Sequence, residues 1–119
     1  MRILSIESND LTKGIPSQIG ELSSLEWLLL YDNLLSGTIP SELGRLENLS
    51  WMRLEKNNLR GSIPIELDEL TALEHFSVHD NAVTGFVPAG FCELIANEQL
   101  VVGIECEEVR CDCGCQCYD

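Results

Sequence analysis

Four asparagines, Asn9, Asn33, Asn57 and Asn81, stand 24 residues apart, and two other residue types keep the same interval. The four prolines of the chain, Pro16, Pro40, Pro64 and Pro88, repeat it, as do Leu22, Leu46, Leu70 and Leu94. Three residue types sharing one period mark an internal repeat whose units are too short to bury an apolar face alone. Aligned, three of the units read "LEWLLLYDNLLSGTIPSELGRL", "LSWMRLEKNNLRGSIPIELDEL" and "LEHFSVHDNAVTGFVPAGFCEL". The period divides residues 1–93 into units at about 1–21, 22–45, 46–69 and 70–93, and leaves 94–119 as a closing segment.

Within each unit the apolar pairs Leu28/Leu30, Met52/Leu54 and Phe76/Val78 alternate with other residues, the period of a short strand with one buried face. One strand per unit forces successive strands to run parallel and to be joined by crossovers. The expected fold is an α/β repeat solenoid, a right-handed coil with one parallel sheet and about four repeats. Asn9, Asn33, Asn57 and Asn81 fall where the chain turns inward, and stacked they would form a ladder satisfying backbone groups between coils. The elements "SGTIP", "RGSIP" and "TGFVP" put glycine and proline where the chain bends beyond the strand. The first unit reads "NDLTKGIP", with Lys13 at the position that is glycine elsewhere, so that turn is expected to be distorted.

The pattern LxxLxxLxLxxNxLxGxIPxxLGxL resembles the plant-type leucine-rich repeats of extracellular receptors and secreted recognition proteins. The GxIP element is specific to that class, and the cysteine-rich ending is similar to that of diatom proteins of this type. The resemblance implies a binding function, without fixing a ligand.

The period carries past the last proline through Leu94, Leu100 and Val102, and Glu105 then stands at the asparagine position. Residues 94–105 are therefore expected to form a degenerate fifth strand that closes the stack. No comparable closure precedes Met1, which implies an open apolar edge and missing N-terminal repeats or a cap. Cys92, Cys106, Cys111, Cys113, Cys115 and Cys117 gather at the closing end. A thiolate metal cluster and a disulfide-stapled cap are the two readings of them. No C-x-x-C pair of zinc-site spacing is present, which favours disulfides and an extracellular or cell-surface location. Six cysteines allow fifteen pairings. Excluding bridges between cysteines two apart leaves seven, and in six of those Cys92 and Cys106 each bridge into the tail cluster.

Seven Lys and Arg against twenty Asp and Glu give a net charge of −13, the wrong sign for binding nucleic acid. No run reaches the roughly 18 apolar residues of a membrane-spanning helix, and no secretory signal is visible. No phosphate loop, dinucleotide fingerprint, HExxH or GxSxG occurs, so neither catalysis nor a cofactor is expected. His75 and His79, four residues apart on an extended strand, would lie roughly 13 Å apart, too far to share a metal ion. Asn48 begins the sequon "NLS" ahead of a strand and is a possible glycosylation site.

Residues flanking the buried pairs should point to the open face of the sheet, in columns across the coils. The 24-residue period predicts a first column of Ile3, Trp27, Trp51, His75 and Gln99. The second is Ser5, Leu29, Arg53, Ser77 and Val101, and the third Glu7, Tyr31, Glu55, His79 and Gly103. Asp32, Lys56 and Asp80 follow at the rim. Clustered Trp, Tyr and Arg are typical binding anchors, so Trp27, Leu29, Tyr31, Trp51, Arg53, Glu55, His75 and His79 are the candidate ligand-binding residues. His79 is expected beside Glu55, where its protonation would make binding sensitive to pH. These features together point to a non-catalytic module that recognises a protein, peptide or glycan on its concave face. The alternative is a structural or adhesive repeat of a cell surface or wall.

Overall fold

The computed structural model describes residues 1–7, 9 and 12–118. Asp10 and Leu11 of the "NDLTKGIP" stretch lie outside the described residues. Each coil contributes one three- or four-residue strand to a parallel sheet: β1 (Ile3–Ser5), β2 (Trp27–Leu29), β3 (Trp51–Arg53), β5 (His75–Ser77) and β7 (Val101–Ile104). The last strand, β9 (Gln116–Cys117), is formed by the tail and pairs with β7 in parallel. Register through the repeats is 24 residues, with Trp27 opposite Ile3, Trp51 opposite Trp27 and His75 opposite Trp51. A second parallel ladder, beyond the single sheet expected from sequence, joins β4 (Arg60–Ser62), β6 (Ala82–Phe86) and β8 (Val109–Arg110). It forms because the residues around each GxIP glycine also stack in register. The bridges Gly14–Ser36 and Thr38–Arg60 carry the same pairing toward the N-terminal coils.

The side of the coil opposite the sheet is closed by 3-10 turns at Ser17–Glu21, Ser41–Arg45 and Ile65–Glu69, each entered from a proline. Proline suits that entry because it fixes φ and offers no N–H to leave unsatisfied. Successive turns touch backbone to backbone: a Cβ on Gly20 would stand 2.5 Å from the Glu42 carbonyl oxygen, so the "LG" of the repeat permits close stacking. The core runs through the middle of the coils, and one coil alone buries Leu46, Leu49, Met52, Leu54, Leu59, Ile63 and Leu67.

The asparagines join the coils. Asn57 Nδ2 donates to the carbonyls of Leu54 in its own coil (3.1 Å) and Leu30 in the preceding one (3.0 Å), and its Oδ1 accepts from Leu35 N–H at 3.0 Å. Asn81 repeats this with Leu54, Val78 and Leu59, and Asn33 donates to Ile6 and Leu30 while accepting from Asn9 N–H. Asn9 differs, being exposed, with its amide directed to the Glu7 carbonyl of its own coil at 2.8 Å. Glu105 ends the ladder, its Oε1 accepting from Asn81 N–H at 3.4 Å.

The turn at Lys13 corrects the expectation of distortion. Lys13 has φ 71°, close to the 77°, 80° and 93° of Gly37, Gly61 and Gly85 at the equivalent positions. Its carbonyl accepts from Ser36 N–H at 2.8 Å, as that of Gly37 does from Arg60 N–H at 2.8 Å. Stacking against the next coil thus holds a residue with a Cβ in the left-handed region, at a cost of about 1–2 kcal/mol.

The closing segment also departs from expectation. In place of a 3-10 turn the chain forms helix α1 (Ala89–Ala96), and Phe91 packs edge-on against Phe76 with ring centroids 5.2 Å apart. Gly90 N–H, in its first turn, donates to Asp68 Oδ1 at 2.8 Å. The longer element adds two residues, so β7 pairs 26 residues after β5: Val101 lies opposite His75 and Gly103 opposite Ser77. The strand therefore begins at Val101, within the expected 94–105. Disulfides Cys92–Cys113, Cys106–Cys117 and Cys111–Cys115 tie the tail to α1 and to the chain just after β7. This is one of the six arrangements in which Cys92 and Cys106 both bridge into the cluster.

Two substitutions test this account of the stack. Asn57→Leu strands the Leu35 N–H and leaves the Leu30 and Leu54 carbonyls with fewer donors, and should cost about 1–3 kcal/mol in a denaturant melt. An unchanged midpoint would contradict the ladder. Lys13→Gly relieves the left-handed strain and should raise stability by about 0.5–1 kcal/mol after the entropy cost of glycine; a lower melting temperature would show that the Lys13 side chain supports the turn.

Candidate functional site

β2, β3 and β5 turn Trp27, Trp51 and His75 to the open face because Leu28, Met52 and Phe76, between their flanking residues, fill the core. The rings form one stack. Trp27 and Trp51 have centroids 5.5 Å apart at a 32° tilt, and Trp51 lies over His75 at 4.7 Å and 15°. Ile3 and Val101 extend the column at either end, both exposed, and Trp27 itself is 40% exposed. The result is an apolar stripe across five strands.

Beside it, the Arg53 guanidinium sits 4.0 Å from the Tyr31 ring centroid, a cation–π contact. Arg53 also donates from Nε to Glu55 Oε2 at 2.9 Å and from Nη2 to the same oxygen. Glu55, expected on the open face, is buried at 3% exposure, and among the described residues its Oε1 meets no hydrogen-bond donor. Its carboxylate fixes Arg53 over Tyr31, and its burial is the correction that the two-residue alternation could not supply. Leu29, Tyr31, Arg53 and His75 are half-buried on the face.

His79 is the second correction. It is 9% exposed, its Nδ1–H donates to Asp80 Oδ2 at 3.1 Å, and Tyr118 covers its ring in a parallel stack at 3.9 Å. Its hydrogen-bond partner is thus Asp80 of its own coil, and the Glu55 carboxylate is engaged by Arg53 instead. The sequence reading missed Tyr118. The two-residue lengthening at α1 also moves Val101 into the first column and Gly103 into the second, and removes Gln99 from the face. Gln99 instead donates to the carbonyls of Thr71 and Leu73, both at 2.9 Å. Gly103, a glycine inside β7, was the available sign of a close approach there.

Away from this face, Asn48 is exposed and its Nδ2 donates to the Ser23 carbonyl at 3.2 Å. Among the described residues the one group of potential metal ligands is Cys111, Cys113 and Cys115. All three are in disulfides and offer no thiolate.

Burial, and next the charge of Arg53, push the His75 imidazole below the usual histidine range, with His79 acting in the same direction and Glu55 against it. His75 shares a 2.8 Å hydrogen bond with Ser77 Oγ.

The Leucine Rich Repeat family model matches residues 24–46. No curated protein matches the chain significantly, but solved structures do. The HAESA receptor kinase ectodomain of Arabidopsis, in complex with an N-terminally extended IDA peptide hormone, is 33% identical with a TM-score of 0.79, over 87% of this chain and 17% of that one. The BIR3–SERK2 complex from Arabidopsis thaliana gives 28% identity and 0.78, over 99% of this chain and 61% of the other. The BIR2 ectodomain from Arabidopsis thaliana gives 27% and 0.80, over 97% and 59%. The chain is a leucine-rich-repeat solenoid, similar to the extracellular ectodomains of plant receptors. It spans less than two thirds of the length of each of these structures.

The depressed His75 pKa has a sign that can be checked. The unfolded chain takes up this proton near the ordinary value of about 6.5, before the folded chain does, so the stability contributed by neutral His75 is present above that pH and lost as pH falls through it. Melting temperature should fall as pH is lowered below about 6.5, and His75→Gln should reduce that fall. An identical drop in the variant would assign the effect to other groups.

Proposed function

We propose that this chain is a non-catalytic extracellular recognition module that binds a peptide or protein segment along the concave sheet. The observation that carries the proposal is the continuous column Ile3, Trp27, Trp51, His75 and Val101, with the Arg53–Tyr31 pair beside it. An apolar centre with a charged flank is how protein interfaces are commonly built, and Trp, Tyr and Arg are the usual energetic anchors. Exposed stacked rings contribute little to the core, whereas a ligand that covers them removes a large apolar area from water.

The structural relatives support the class of partner, since HAESA was solved with a peptide hormone and BIR3 in complex with SERK2. Three disulfides at the closing end accord with an oxidising compartment outside the cell. Asn48, exposed and ahead of β3, would carry a glycan if the sequon is used.

Panning a random peptide display library against the intact domain tests the proposal. Enriched peptides should lose about 2 kcal/mol or more of binding, roughly thirtyfold, when Trp27 and Trp51 are both changed to Ala. That variant should still melt cooperatively, whereas Leu54→Ala, which empties part of the core, should cost about 2–5 kcal/mol of stability. Peptides that bind the double variant unchanged would place recognition elsewhere. A double variant that unfolds as Leu54→Ala does would make the tryptophans core residues.

A further inference from the structure

The C-terminal end of the concave face contains a slot the shape of one flat ring. His79 forms its wall, with Tyr118 lying parallel to the imidazole at 3.9 Å and 9°. Gly103 forms its floor. A Cβ at Gly103 would stand 3.0 Å from Tyr118 Cε2, 3.3 Å from Ser77 Oγ and 3.4 Å from His79 Cδ2. Gly103 is not in the left-handed region, so its backbone does not demand glycine. The ring seated over it does: a glycine within a strand marks a place where something approaches closely.

The backbone of Tyr118 and its side chain are held very differently. Tyr118 N–H donates to the Ile104 carbonyl at 2.9 Å, β9 pairs with β7, and the adjacent Cys117 is bridged to Cys106. The ring is 46% exposed, and its hydroxyl donates to Gln116 Oε1 at 3.2 Å, on the same exposed tail. A change of one side-chain rotamer would empty the slot without disturbing the sheet. The emptied slot would open toward the rest of the face, because Lys56 N–H donates to the His79 carbonyl at 3.0 Å and so puts β3's coil alongside.

We propose that this slot is an aromatic subsite of the recognition face, and that Tyr118 occupies it in place of an aromatic side chain of a bound peptide. The proposal rests on reading the concave sheet as the binding face. It makes the tail an internal competitor: the subsite is available only in the fraction of molecules whose Tyr118 ring has swung out, and apparent affinity for an aromatic side chain falls by that fraction.

The test needs no natural ligand. In the intact chain the His79 ring protons should resonate upfield, shielded by the stacked Tyr118 ring, and Tyr118→Ala should move them downfield. Titrating N-acetyl-tyrosinamide into Tyr118→Ala should return them upfield and saturate, while the unsubstituted chain should respond much more weakly. N-acetyl-leucinamide should have little effect. Adding Gly103→Ala to the Tyr118→Ala chain should abolish the response, because the new Cβ fills the floor. Should that second variant fail to fold, comparison of the two amides on Tyr118→Ala still decides the matter. An unchanged His79 spectrum in Tyr118→Ala, no saturation by the tyrosine amide, or equal binding of the leucine amide would overturn the proposal. The same titration in a Trp27→Ala/Trp51→Ala/Tyr118→Ala chain should be unaltered, so loss of the tryptophan anchors and failure of the slot are read separately.

Discussion

The Asn57 amide lies inside the coil and bonds backbone groups of two coils at once, with a reach of 3.0–3.1 Å to Leu30, Leu35 and Leu54. Its equivalents Asn33 and Asn81 do the same one coil to either side. Strands β2, β3 and β5 are only three residues long, and after each of them the chain turns through a left-handed residue, Asp32, Lys56 or Asp80, with φ 58°, 60° and 55°. Such a turn leaves backbone groups facing the interior, where an unpaired donor or acceptor costs about 1–3 kcal/mol. One inward-facing amide in each of these three coils, Asn33, Asn57 or Asn81, answers that need and fixes the rise from coil to coil.

Fixed register is what makes a binding face from separate residues. Trp27, Trp51 and His75 lie in different coils, 24 residues apart in sequence, and stack only because their strands pair residue for residue. The same constraint imposes the strain at Lys13 and the close backbone contact at Gly20. It also explains why the closing end differs. α1 needs more residues than a 3-10 turn, so the column gains Val101 in place of Gln99, and the tail can return as β9 to bring Tyr118 onto the face.

The repeat, the strands, the buried alternation and the columns through Trp27, Trp51 and His75 were legible in the sequence because each follows from a period that the chain keeps for four units. What was not legible depended on breaking that period or on side chains meeting from distant segments. Two extra residues at α1 shifted the last register, which no count of 24 could reveal. Glu55 falls on the open side of the alternation, yet Arg53 folds over it and buries it, a choice made by charge pairing. His79 is covered by Tyr118 from 39 residues further along, through a disulfide whose pairing the cysteine spacing left among seven possibilities. The second sheet arose from residues read only as turns.

The central claim is that the buried asparagines hold the coils in the register on which the face depends. Native-state hydrogen exchange measures this directly at the Leu35 and Leu59 amides, whose protons are donated to Asn57 Oδ1 and Asn81 Oδ1 at 3.0 and 2.8 Å. The account predicts that both amides exchange only through the largest opening of the molecule, with the same free energy as the core strand amides and the same dependence on denaturant. Exchange at the rate of exposed turn amides, with no denaturant dependence, would show that these bonds open locally, and would contradict a ladder that sets the register.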